Sequence, residues 1–127
     1  MDSSPLAIGK EVIEREAQAL QSLYEALDES FEHAISLIAA VTGRVVITGM
    51  GKSGHIANKI AATFSSTGTP AFFVHPGEAS HGDLGMISSQ DLIIALSNSG
   101  ETKELSDIIF FSKRYGMPLI GVTQKKE

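Results

Sequence analysis

The sequence predicts an α/β fold in which one parallel sheet lies between layers of helices, and three observations predict it. Short runs of β-branched and aromatic residues recur at Val45–Ile47, Ala71–Val74, Leu92–Leu96 and Pro118–Val122. Between them lie segments whose apolar residues return at helical spacing. The run Leu92-Ile93-Ile94-Ala95-Leu96 is apolar at every position, as a parallel strand covered on both faces must be. Strands that alternate with helices pair in parallel through right-handed crossovers.

Each element has its own signal. Over residues 5–27, Val12, Ile13, Ala17, Leu20, Leu23, Tyr24 and Leu27 mark an amphipathic helix. A second helix is predicted to start at Ser30 as N-cap, with Phe31, Ala34, Ile35, Ile38 and Val41 on its apolar face, and to end at Gly43. The first strand, Val45–Ile47, closes in Thr48 and Gly49. A helix follows over about Ser53–Thr67, then the strand Ala71–Val74 and a loop rich in glycine and histidine. After the third strand, a helix from Thr102 to Tyr115 turns Leu105, Ile108 and Ile109 inward. Pro118–Val122 is the fourth strand. The chain stops soon after it, at Glu127, and an open parallel edge invites pairing. The expectation is a fold truncated after its fourth strand, with the C-terminal part of the sheet layer missing.

Length and composition set the bounds. The 127 residues suit a single domain over 1–127, with N-terminal helices in 5–42 and an alternating core in 45–127. No cysteine is present, which removes disulfides, thiolate metal sites and cysteine nucleophiles. The N-terminal segment lacks the basic-then-apolar pattern of a signal peptide. No apolar run approaches the ~20 residues of a membrane span. A cytoplasmic protein without membrane partners is expected. A net charge of -5 argues against a nucleic-acid partner.

Three segments carry chemistry. Gly49-Met50-Gly51-Lys52-Ser53-Gly54 joins a strand to a helix and matches the dinucleotide fingerprint G-x-G-x-x-G. That reading needs an acidic residue about 20 positions on. Position 69 is threonine and the second strand ends Val74-His75-Pro76, so the acid is missing. The Walker reading fails because its upstream glycine falls at Val46. What remains is a glycine turn that brings backbone close to an anion, ahead of a helix N-terminus. A ligand-free tight turn is the plain alternative.

Ser97-Asn98-Ser99-Gly100-Glu101-Thr102 lies at the end of the third strand and opens the next helix. Its hydroxyl and amide groups suit a phosphate in a backbone nest, although a serine-rich N-cap would look the same. Two such turns in one parallel sheet face one crevice, because ligands of open α/β sheets bind at the carboxyl ends of strands. The third segment, His75 to Gly85, holds two histidines, two acids and three glycines. His75, His81 and Asp83 fit no regular metal-ligand spacing, and no metal is expected.

In these three segments the chain resembles the sugar isomerase (SIS) domain family. The stretch GMGKSGHIANKIAATFSSTGTPAFFVHPGEASHGDLGMI followed by SNSGET looks like the arabinose-5-phosphate isomerase group within it. The resemblance covers residues 5–127 and is strongest from Val45 to Leu105. It implies a flavodoxin-like, three-layer SIS fold and interconversion of ribulose 5-phosphate and arabinose 5-phosphate through an enediol, on the path to Kdo in lipopolysaccharide or capsule. It further implies a homotetramer and no cofactor. Phosphate contacts fall on Ser53, Ser97, Asn98, Ser99 and Thr102, and catalytic roles on Lys52, His81 and Glu104. Gly51 and His75 complete the binding candidates. An enediol reaction needs a base near the carbon and a donor near the oxygen that gains charge. Lys52 fits the second part, His81 is suited to shuttling protons near neutral pH, and the base is either Glu104 or His81. Family members continue through another strand and further helices that carry more site residues. The competing reading is a non-catalytic phosphosugar-binding regulatory domain, which would have no need of Lys52, His81 or Glu104.

Overall fold

The computed structural model describes residues 3–79, 82–98 and 103–124. The chain divides into two compact units, residues 1–33 and 34–127.

The first unit is dominated by α1 (Pro5–Ala26). Ser4 caps it, its side chain accepting the Ala7 N–H at 3.2 Å, and Pro5 opens the helix where its missing N–H costs nothing. No residue of α1 is buried, and Leu6, Ile13, Leu20, Leu23 and Tyr24 are all more than half exposed. The next helix, α2 (Glu29–Ala40), begins two residues earlier than the Ser30 cap predicted. Asp28 is the cap: its carboxylate accepts the Ser30 N–H at 2.9 Å and the Ser30 hydroxyl. A carboxylate is the stronger acceptor for an unpaired helix N–H, so Ser30 lies inside the helix as a donor.

The second unit holds a four-stranded, all-parallel sheet of β1 (Val45–Gly49), β2 (Ala71–Val74), β3 (Leu92–Leu96) and β4 (Leu119–Val122) in the order β2-β1-β3-β4. The flavodoxin-like expectation therefore holds for these strands, and both central strands are buried at every position. Successive residues serve opposite layers, as a strand's period of two requires. Val45, Ile47, Leu92, Ile94 and Leu96 meet Ala57 and Ala61 of α3 (Gly51–Ser66), with Leu37, Ile38 and Val41 packed alongside. On the other face Val46, Ile93 and Ala95 meet Leu105, Ile108 and Met117, the middle one from α5 (Ser106–Arg114). Each fully buried aliphatic side chain, such as Ile93 or Ile108, contributes about 1.5–3 kcal/mol.

Two departures concern helix starts near the chemistry. Helix α3 begins at Gly51, two residues before the predicted Ser53, which places Lys52 and Ser53 inside its first turn. The predicted Thr102–Tyr115 helix is a 3₁₀ turn over Lys103–Leu105 followed by α5, so Glu104 sits in the tighter turn. The glycine- and histidine-rich loop has short helical pieces of its own, α4 (Pro76–Ala79) and a 3₁₀ turn over Asp83–Met86.

Buried polar groups fasten the loop at both ends. The fully buried Thr48 donates its hydroxyl to the Val74 carbonyl at 2.6 Å, tying the end of β1 to the end of β2. At the opposite edge Asp91, 2% exposed, accepts the Arg44 and Ser88 N–H groups at 2.7 and 2.8 Å. The Arg44 guanidinium donates to the Met86 carbonyl at 2.9 Å and lies 4.2 Å over the Phe72 ring.

Candidate functional site

The carboxyl ends of β3 and β4 and the first turns of α3 border a crevice of about 390 Å³. In the order β2-β1-β3-β4 the chain reverses direction across the sheet between β1 and β3, which is where open α/β sheets take their ligands. Lys52 and Ser53 enter from the first turn of α3, and Ser97 and Asn98 from the end of β3. Lys52 and Ser53 of the first predicted turn and Ser97 and Asn98 of the second thus line one cavity. Its remaining walls are Ile56 and Ile60 of α3, Leu96 of β3, and Val122, Thr123 and Gln124 at the end of β4.

Local backbone accounts for these positions. Ser97 donates its N–H to the Val122 carbonyl at 3.0 Å, and the Asn98 carbonyl accepts the Gln124 N–H at 3.2 Å. The parallel ladder of β3 and β4 therefore continues beyond both strands and holds Ser97 and Asn98 beside the α3 turn. At that turn, Met50 is extended and Gly51 has φ +57, a left-handed conformation that side chains disfavour. Gly54 is needed for a second reason. A Cβ there would stand 2.6 Å from the Gly49 carbonyl oxygen, so only glycine lets α3 start this close to β1.

Lys52 is exposed, and among the described residues it has no ion-pair partner. The first turn of α3 offers unpaired N–H groups and the positive end of a helix dipole. Together with neutral donors at Ser53, Ser97 and Asn98, this set suits an anion with an adjacent hydroxylated group. Among the described residues, no three His, Asp or Glu side chains converge as a metal site would require.

A second cavity of about 260 Å³ lies on the β2 side of the same turn, lined by Gly51, Gly54, His55, Asn58, Phe73 and His75. His75 therefore lies in this cavity and is not among the residues lining the first. Its Nδ1 accepts the Gly77 N–H at 3.0 Å, so the neutral ring carries its proton on Nε2. The Phe73 ring meets it edge-on, centroids 6.4 Å apart. Glu104 is exposed in its 3₁₀ turn and lines neither cavity. His81, Ser99 and Thr102 lie outside the described residues. Sequence reasoning missed Thr123 and Gln124, although the rule that sites form at carboxyl ends of strands applies to β4 as it does to β3. It also missed His55 and Asn58, whose signal appears only once the start of α3 is fixed.

The fold and the crevice are those of parallel α/β domains that bind small ligands at strand ends. Residues 38–127 match the SIS domain family, and the chain belongs to it. It is 53% identical over 119 residues to arabinose 5-phosphate isomerase KdsD of Salmonella typhi, covering 94% of this chain and 36% of that relative. The same enzyme of Yersinia pestis is 54% identical with the same coverage. The chain thus spans about a third of the length of these curated relatives. Among solved structures, c3406 of Escherichia coli CFT073 in complex with A5P has a TM-score of 0.90 and 42% identity, covering 98% of this chain and 67% of that one.

Proposed function

We propose that this chain binds a phosphorylated pentose and forms the isomerase part of an enzyme that interconverts D-ribulose 5-phosphate and D-arabinose 5-phosphate. The observation that carries the reading is the meeting of Lys52 and Ser53 with Ser97 and Asn98 at one crevice, at the point where the strand order reverses. The names of the relatives at 53% and 54% identity, and the A5P complex of the similar structure, support the choice of sugar.

In this reading the phosphate rests on Ser53 and on the segment Ser97–Thr102. A base, Glu104 or His81, takes the proton from the carbon beside the carbonyl and returns it to the neighbouring carbon. Lys52 stabilises the enediolate oxygen between those steps, and His81 moves the hydroxyl proton from one oxygen to the other. No electron leaves the substrate, so the reaction needs no redox cofactor. The setting we propose is cytoplasmic Kdo synthesis for lipopolysaccharide or capsule, with the chain assembled as a dimer or tetramer.

Calorimetry with arabinose 5-phosphate and an assay of ribulose 5-phosphate turnover test the proposal. Saturable binding is expected, and Ser99→Ala with Thr102→Ala should weaken it; unchanged affinity in that double variant would remove the phosphate site. Binding without turnover, in this chain and in one extended to the relatives' length, would instead mark a phosphosugar sensor.

A further inference from the structure

Helix α3 divides its first two turns between the two cavities. Lys52, Ser53, Ile56 and Ile60 line the first, whereas Gly51, Gly54, His55 and Asn58 line the second. Both sets follow helical spacing, and between them Ala57 and Ala61 are buried against the sheet. The two sides differ in chemistry. The first joins a cation and small neutral donors to an apolar wall of Ile56, Ile60, Leu96 and Val122. Among the described residues the second has no lysine or arginine in its lining. It offers two imidazoles, one carboxamide and the Phe73 ring.

We propose that this second cavity is the subsite for the hydroxyl-bearing carbon chain of the substrate, with His55 and Asn58 as the residues that read its hydroxyls. The inference rests on the phosphosugar reading of the first cavity. A carboxamide and a neutral imidazole each present a donor and an acceptor, as a sugar hydroxyl does. His75 has its Nδ1 committed to the Gly77 N–H, which leaves Nε2–H as its donor. Phe73 supplies an apolar floor for carbon-bound hydrogens. Gly51 and Gly54 carry no side chain and line this cavity at the same helix start from which Lys52 and Ser53 line the first. In this proposal a phosphate ester held by Ser53, Ser97 and Asn98 extends across the start of α3 toward His55 and Asn58. Specificity among five-carbon phosphosugars then resides in these two exposed side chains.

The test compares inorganic phosphate with arabinose 5-phosphate by calorimetry on this chain, with ring resonances of His55 followed by NMR. Arabinose 5-phosphate is expected to bind more tightly than phosphate. His55→Ala with Asn58→Ala should remove about tenfold of that margin, the worth of one or two hydrogen bonds, while leaving phosphate affinity unchanged. The His55 signals should move with arabinose 5-phosphate and stay still with phosphate. A double variant that keeps the full margin overturns the subsite and leaves the phosphosugar reading intact. Equal weakening toward both ligands overturns it too, since the cavity would then hold phosphate. If the unmodified chain binds neither ligand, the phosphosugar reading fails and the subsite with it. Both substituted side chains are exposed, so the variant is expected to fold.

Discussion

Lys52 is the residue whose role is most sharply testable. It lies in the first turn of α3, at the mouth of the crevice, and the plain alternative is that it is one more phosphate ligand. A phosphate ligand contributes nearly equally to ground and transition states, so its loss raises the Michaelis constant and spares turnover. A cation at the enediolate oxygen acts mainly when charge develops there, and its removal costs on the order of 3 kcal/mol, roughly a hundredfold in rate. Ser53, Ser97 and Asn98 already supply donors for one phosphate, so Lys52→Ala is expected to lower kcat more than it raises KM. Steady-state kinetics on a chain of the relatives' full length decides it, and normal turnover with a raised KM would reduce Lys52 to a phosphate ligand. Lys52, Ser53, Ser97 and Asn98 were legible in the sequence because each sits at a strand end marked by glycine or hydroxyl residues. His55 and Asn58 were not, because an exposed polar residue on a helix carries no local sign of the cavity beside it.

Among the elements, the strands were legible within one or two residues and the helix starts were not. Apolar runs follow from burial on both faces and are visible in the sequence, whereas a helix start depends on which nearby acceptor takes its first N–H groups. Asp28 and Ser30 both qualify by type, and the geometry chose Asp28. The start of α3 is set by a backbone approach that only Gly54 permits. A methyl group there would press on the Gly49 carbonyl oxygen, and neither backbone has a flexible side chain that can yield. Gly54→Ala is therefore expected to destabilise the fold by about 1–3 kcal/mol. It should also move Lys52 and Ser53 away from Ser97. Urea unfolding measures the first effect and phosphate affinity the second. A variant as stable as the parent, with unchanged phosphate binding, would show that the close approach of α3 to β1 is not needed.

At the scale of the whole molecule, the apolar surface of α1 sets the last expectation. Leu6, Ile13, Leu20 and Leu27 recur every seven residues and are 69, 68, 68 and 50% exposed, with Leu23 and Tyr24 beside them at 56 and 74%. A seven-residue apolar repeat is the seam along which helices pack on one another. One exposed leucine would be ordinary, but a repeat over the full length of a 22-residue helix is a surface that water penalises. Burying such a side chain contributes about 1.5–3 kcal/mol, so a few per chain outweigh the loss of freedom on association. We therefore expect this chain to self-associate through α1, to a dimer or tetramer. Light scattering at micromolar concentration should give a multiple of the 13.5 kDa chain mass. Ile13→Glu with Leu20→Glu places charge in the middle of the seam and should shift the protein toward monomer while the far-UV spectrum keeps its helical signal. A monomer mass for the unmodified chain would refute self-association, and an assembly indifferent to the double substitution would move its interface away from α1.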